Sequence, residues 1–313
     1  MKNRYEKIEL NVLAGCYAGE LSAYTDKDGN QAVIPAGWTV SGVSKESTIW
    51  GKGVSLVIYQ IPLGERVNWN DPCEIEKAQK TYSQLVWVPV TFLDANGTLD
   101  GEHFSEKFGR RNYRNDKFSE NEFYEPLKGE LLEQHQSVKE YGGFYISRYN
   151  ISKSSDGSPQ SVKGIVPWNL ISFNDAKKVA STFENNENVK SHLLYGAEYD
   201  SVLEWFIKSK AKTLKEISED SSEWGNHSNT KKVGKKILET GSCENWCVNN
   251  IYDFAGNVDE LTQETMERCC CVIRGGNYAY GGEIYPAAYR NYDHYDVDDC
   301  HDGFHVAVYI KQF

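Results

Sequence analysis

The chain has 313 residues, room for one large or two medium domains, with 40% hydrophobic and 13% aromatic residues, among them 20 Tyr and 8 Trp. Its net charge of −11 argues against nucleic acid as a partner, because binding phosphates needs clustered Lys and Arg. No apolar run reaches membrane-spanning length, so no membrane insertion is expected, and no hydrophobic stretch follows MKNRYEKIELN, so synthesis in a cytoplasm without a signal peptide is expected.

Residues 1–80 read as a small β-rich module. Ile8, Leu10 and Val12 alternate with polar neighbours, Asp28-Gly29 suits a hairpin turn, and Ala32–Pro35, Trp38–Val43 and Val54–Ile61 are further strand candidates. Asn68–Thr81 is polar and charged and is expected to be a linker or boundary. A second domain then spans residues 84–313. It opens with the apolar strand QLVWVPVTF (84–92), followed by a long charged surface excursion over 94–140 and a strand over Gly143–Tyr149.

Two helices follow. Ser172 with Asp175 three residues on is a capping pattern, and Ala176, Val179, Ala180 and Phe183 share the face behind it. The second helix covers about 197–210, with Tyr199, Val202, Leu203, Phe206 and Ile207 as its apolar stripe. Strands, then helices, then strands again make an α+β pattern rather than the alternation of a parallel sheet.

Eight cysteines (Cys16, Cys73, Cys243, Cys247, Cys269, Cys270, Cys271, Cys300) lack the spread of a disulfide framework and are expected to be buried thiols. Cys243 and Cys247 have no second spaced pair to complete a zinc knuckle. His294 and His301, seven apart among aspartates, have no spaced partner either.

The segment that organises the rest is 274–310. Two apolar runs, Cys271–Ile273 and Phe304–Ile310, read as strands, and between them Asn291–Asp302 reads N-Y-D-H-Y-D-V-D-D-C-H-D. That stretch has no apolar period with which to bury a face, and its aspartates repel one another. Tyr interleaves with them, which solvated linkers lack and binding loops favour. The stretch is therefore either a solvent-facing recognition surface or an acidic loop that binds nothing.

IYDFAGNVDELTQE (251–264), VIRGGNY (272–278) and GFHVAVYI (303–310) resemble the formylglycine-generating-enzyme, or sulfatase-modifying-factor, domain. FYISRYN (144–150), VPWNLISFNDA (166–176), LLYGAEYDSVLEW (193–205) and WGN (224–226) keep the family's order upstream. The resemblance implies a C-type-lectin-like fold, in its formylglycine-generating-enzyme variant, over about 84–313, preceded by the β-rich module. Family enzymes hold copper between two thiolates five positions apart; the matching positions here are Tyr280 and Tyr285, so no copper is expected. The likeness also implies a calcium site of Asp253, Gly256, Val258 and Glu260, against the plain alternative of a turn whose acids face solvent. His305 stands where the family usually has Arg, which puts a buried ion pair there in doubt.

The same fold serves variable proteins of diversity-generating retroelements, carried by phages and bacteria, and this sequence looks like one of them. In these, asparagine codons are randomised at their adenines near the C-terminus, and every residue from Asn291 to Asp302 is reachable that way. The resemblance implies a variable region at about 274–310. Its ligand-binding positions would be Ala279, Tyr280, Gly281, Tyr285, Tyr289, Asn291, Tyr292, Asp293, His294, Tyr295, Asp296, Val297, Asp298, Asp299, Cys300 and His301. Glu283, Ile284 and Pro286 would be scaffold. The expected partner is a macromolecular target, with a protein or cell-surface ligand in view and a virion or a cell as the final site. A formylglycine-generating oxidase and a non-variable phage or surface subunit remain the alternatives.

Overall fold

The computed structural model describes residues 8, 10–26, 29–47, 56–90, 108–114, 123–230, 235–266 and 269–312. Ser22–Thr25 (β1) pairs antiparallel with Gln31–Ile34 (β2). The turn between them is held by Asp26, whose Oδ1 accepts from the Asn30 amide at 2.9 Å. Gly29 takes φ +83°, while Lys27 and Asp28 lie outside the described residues. Thr39–Val40 (β3) and Val57–Tyr59 (β4) follow, and β4 pairs with Gln84–Pro89 (β5).

Between β4 and β5, where a linker was expected, lies Pro72–Thr81 (α1). Its signal is Asp71-Pro72: Asp71 accepts from the Cys73 amide as N-cap, and proline at the first helical position is already in helical φ. The expected excursion over 94–140 falls partly outside the described residues. It ends in Phe123–Tyr124 (β6) and Glu130–Tyr141 (α2), closed by Gly142 in the left-handed conformation.

Gly143–Ser147 (β7) comes next, then a minor hairpin of Ser152–Lys153 (β8) with Pro159–Gln160 (β9). Phe173–Ala180 (α3) starts as its capping pattern predicts, with Ser172 Oγ accepting from the Asp175 amide. Val189–Leu193 (β10) leads into Gly196–Lys208 (α4), which buries Tyr199, Val202, Leu203 and Phe206, and then the short Leu214–Ser218 (α5). Cys247–Val248 (β11) and Ile251–Tyr252 (β12) form a small ladder. The last strands are Asp259–Met266 (β13), Cys270–Arg274 (β14), Arg290–His294 (β15), Asp302–Gly303 (β16) and Val306–Ile310 (β17).

Two large sheets result among the described residues, beside the three two-stranded ladders, and the class is α+β, as the element pattern predicts. A six-stranded antiparallel sheet runs β10-β17-β7-β5-β4-β3. A five-stranded sheet runs β15-β14-β13-β16, with β6 also on β13. The first sheet is covered on both faces, which is why β5 reads as a continuous apolar run. Val86 and Val88 point into a core shared with α4, and Leu85 and Trp87 into one shared with β2 and Trp38.

Of the N-terminal strands, β3 and β4 thus belong to the large sheet and β2 shares a core with β5, and the boundary expected between 80 and 84 falls between two paired strands, β4 and β5. A buried ion pair reinforces this join. Arg148 Nη2 donates to Glu46 Oε1 at 2.7 Å, with both side chains withdrawn from water. Burial alone would raise the Glu46 carboxyl; the Arg148 guanidinium outweighs it and holds it below the usual carboxylate value. Removing one partner strands the other charge in the interior. Glu46→Ala should therefore cost about 3–5 kcal/mol in denaturant unfolding while leaving one cooperative transition. A loss confined to a separate N-terminal transition would contradict the single core.

Candidate functional site

The surface is built from its base upward. Arg274 at the end of β14 and Arg290 at the start of β15 are register partners, and between them the chain makes the loop 275–289. Both arginines reach one buried carboxylate on α4: Arg274 Nη2 donates to Asp200 Oδ1 at 2.8 Å, and Arg290 Nη2 donates to Oδ2. Glu264 on β13 accepts from Arg290 Nε at 3.1 Å and from Arg110 Nη1 at 2.9 Å. Burial would raise the Asp200 carboxyl, but Arg274 and Arg290 prevail and hold it below its ordinary value. Arg274 also lies over the Tyr199 ring at 4.3 Å.

The loop leaves this base through Gly275 and Gly276, both at positive φ. A Cβ on Gly276 would sit 2.4 Å from the Tyr285 carbonyl, so the crossing needs glycine. From there the backbone is tied to the scaffold. The Tyr280 carbonyl accepts from the Ser228 amide at 2.9 Å, and the Gly282 carbonyl accepts from the Ser221 amide. Ser221 Oγ accepts from the Ala287 amide, and the Ala287 carbonyl accepts from Tyr199 Oη at 2.9 Å. Further on, the Asp299 carbonyl accepts from the Leu170 amide, the Cys300 carbonyl from Asn169 Nδ2, and the His301 carbonyl from the Asp259 amide.

The side chains on this tethered backbone face outward. Of the sixteen positions expected to bind ligand, Gly281 is buried and the rest are part-exposed or exposed. Tyr280, Tyr285 and Tyr289 form a chain of rings 4.8 and 4.7 Å apart, and Arg114 lies over the last at 5.2 Å. Tyr280 and Tyr285, at the positions where the oxidase pattern needs thiolates, are thus two phenols packed edge to face. Tyr292, His294, Asp296, Val297, Asp298 and Cys300 are exposed, and Ala279, Asn291, Asp293, Asp299 and His301 are part-exposed. Tyr295 stacks on Phe173 at 4.9 Å and is half anchor, half surface.

Two expectations need correcting here. Residues 290–294 form a strand, not an irregular loop: its ladder bonds to β14 are made by the backbone, so the Asp/His/Tyr pattern gave no apolar period. Only Cys271 of the eight cysteines is buried; Cys16, Cys73, Cys269 and Cys300 are exposed.

Sequence reading also missed a contributor, the loop 165–174. Ile165, Val166 and Leu170 are exposed there, Asn174 Nδ2 donates to Asp296 at 3.0 Å, and a groove of about 410 Å3 lined by Trp168, Leu170, Val179 and Lys178 opens beside Asp298. Leu170 holds φ +53°, uncommon for a side chain of its size. Tyr278 was missed as well; its ring lies 5.2 Å from that of His301.

In the turn expected to hold calcium, Glu260 is engaged by its neighbours. Glu260 Oε1 accepts from Asn150 Nδ2 and pairs with His305 Nδ1 at 2.8 Å, while its Oε2 accepts from the His305 amide at 2.9 Å. Asp253 Oδ2 accepts from the Gly241 amide, the Val258 amide donates to the Gly256 carbonyl, and burial pushes the Asp253 carboxyl up to about 6. Asp253 Oδ1 is buried with no hydrogen-bond partner, whereas a cation at this turn would compete with the donors that already engage Glu260. His305 Nδ1 hydrogen-bonds Glu260 at the turn where the resemblance expects Arg.

No protein-family model and no curated protein matches the chain. Among solved structures it is similar to PvdO from Pseudomonas aeruginosa, at 16% identity and a TM-score of 0.43 over 74% of this chain and 95% of that one. It is similar to CarF at 14% identity and a TM-score of 0.42, over 54% and 87% of the two chains. It is also similar to Treponema denticola variable protein 1, at 14% identity and a TM-score of 0.35, over 53% and 84%.

Beneath the surface lies an acidic pair. Asp259 and Asp302 are partners across β13 and β16, both buried. Burial pushes the Asp259 carboxyl up to about 7, partly offset by Asn277, and Asp302 is raised too, by burial and by Asp259, Asp293 and Asp299. Such groups hold protons in the fold that the unfolded chain releases near pH ~4. Their contribution is complete below that pH and is lost as pH rises through about 7. Melting temperature should fall over this window, and Asp259→Asn should flatten the fall; an unchanged pH profile in that variant would contradict the assignment.

Proposed function

We propose that this protein is a ligand-binding variable protein of the diversity-generating type, with residues 279–301 and the neighbouring loop 165–174 as the face that grips a macromolecular target. One observation carries the reading: the outward side chains sit on a backbone tied down by carbonyl and amide bonds that do not depend on side-chain identity. A rigid frame with exchangeable side chains is how loop-borne recognition works physically.

The chemistry of the face indicates what it takes. Tyr280, Tyr285, Tyr289 and Tyr292 offer broad apolar contact with a hydroxyl at the tip. Asp293, Asp296, Asp298 and Asp299 surround them with negative charge, which favours a protein surface rich in Lys, Arg or amide donors. No catalytic role is assigned, since tyrosines stand where the copper-binding thiolates would have to be.

The coding DNA offers a direct test. A near-repeat of the region encoding 274–310, differing at adenines and lying near a reverse transcriptase gene, is the expected finding; neither being present would contradict the variable role. On the protein side, Tyr280→Ala with Tyr292→Ala should weaken attachment to target cells by roughly 30-fold, as for two lost anchor residues, without moving the melting temperature. Undiminished attachment would count against this face.

A further inference from the structure

At the end of this surface, Asp299, Cys300 and His301 bring a carboxylate, a thiol and an imidazole together, with their ligand atoms all within 4.8 Å of one another. We propose that these three residues form a binding site for a borderline divalent transition-metal ion, Zn2+ being the best fit. The site does not depend on whether the surrounding face recognises a target, and metal binding can be measured by itself.

The geometry fits a tetrahedral ion. Bond lengths of about 2.3 Å to sulfur and 2.0–2.1 Å to nitrogen place those two atoms about 3.6 Å apart around such an ion. Cys300 Sγ lies 3.6 Å from His301 Nδ1. The carboxylate–imidazole edge should measure about 3.4 Å on the same reckoning. Here Asp299 Oδ1 is 2.6 Å from His301 Nδ1, the length of a hydrogen bond, so that edge must open by under about 1 Å when an ion replaces the shared proton.

Consecutive residues rarely converge on one point, and here the backbone explains why they do. The Asp299 and Cys300 carbonyls are engaged by Leu170 and Asn169, the His301 carbonyl by the Asp259 amide, and the His301 amide donates back to Asp299 Oδ1 at 2.8 Å. This folds the three side chains to one side, with the Tyr278 ring against His301. The donor set also selects the metal. A thiolate with an imidazole suits zinc or its neighbours and not Ca2+ or Mg2+, which take oxygen ligands. His294, which the sequence paired with His301, is not in the cluster. Cys300 is exposed, leaving a fourth position for water or for a donor from a bound partner.

Titration of the full-length protein with Co2+, a spectroscopic stand-in for Zn2+, tests this. The expected result is a thiolate-to-cobalt charge-transfer band saturating at one equivalent and bleached by Zn2+. Cys300→Ser should abolish the band, His301→Ala should weaken Zn2+ binding by roughly tenfold or more, and Cys269→Ser should leave both intact. Melting curves of the variants check that each remains folded, as expected for side chains at the surface. Absence of a thiolate band in the parent protein, or a band that survives Cys300→Ser, would overturn the assignment.

Discussion

Asp200 receives two arginines at once, and those arginines are the two ends of the loop that carries the aromatic half of the surface. Isolated in the interior, each of these charges would be costly; together with Glu264 they are joined by short, directional bonds, with Arg274 Nη1 left without a hydrogen-bond partner. The result is a fixed base joining α4, β13, β14 and β15. Loop 275–289 can then rise from it without a hydrophobic core of its own. The surface needs few buried side chains of its own, chiefly Ala287 and Ala288, because its foundation lies beneath it.

This separates two jobs that most protein segments combine. Main-chain bonds to Ser221, Ser228, Asn169, Leu170 and Asp259 hold the path of the chain, and most side chains from 279 to 301 are left at least partly exposed, Pro286, Ala287, Ala288 and Arg290 being buried. A backbone bond works equally well for Tyr, Asp, His or Val, so identity at these positions costs the fold little. β15 adds a further constraint, since it is the edge of its sheet. Charged and polar residues along an edge discourage pairing with another chain, so Asp293 and His294 keep this strand from acting as an aggregation template.

Much of the frame was legible in the sequence because it follows from local rules. Ser172 and Asp175 marked the start of α3, the apolar run from 84 marked a strand, and the stripe of Tyr199, Val202, Leu203 and Phe206 marked α4. What stayed hidden depends on contacts between distant residues. Nothing near Glu46 announces Arg148 as its partner, so the N-terminal strands looked like a separate module. α1 went unseen because Asp71-Pro72 lies in a charged stretch with only one buried residue, Ala78. The site itself was half visible. Its tyrosines and aspartates could be read from composition, but loop 165–174 and Tyr278 join them only through the fold.

The central claim is that the fold does not depend on which side chains the surface displays. The most direct measurement is the melting temperature of a single variant with Tyr280, Tyr292, His294, Asp296, Val297 and Asp298 all replaced by Ser. Scattered surface substitutions usually change stability by within about 0.5 kcal/mol each, of either sign, so the account predicts a shift of less than about 10 °C for the six together. Loss of cooperative unfolding, or a drop well beyond that, would show that these side chains hold the structure together and would contradict it.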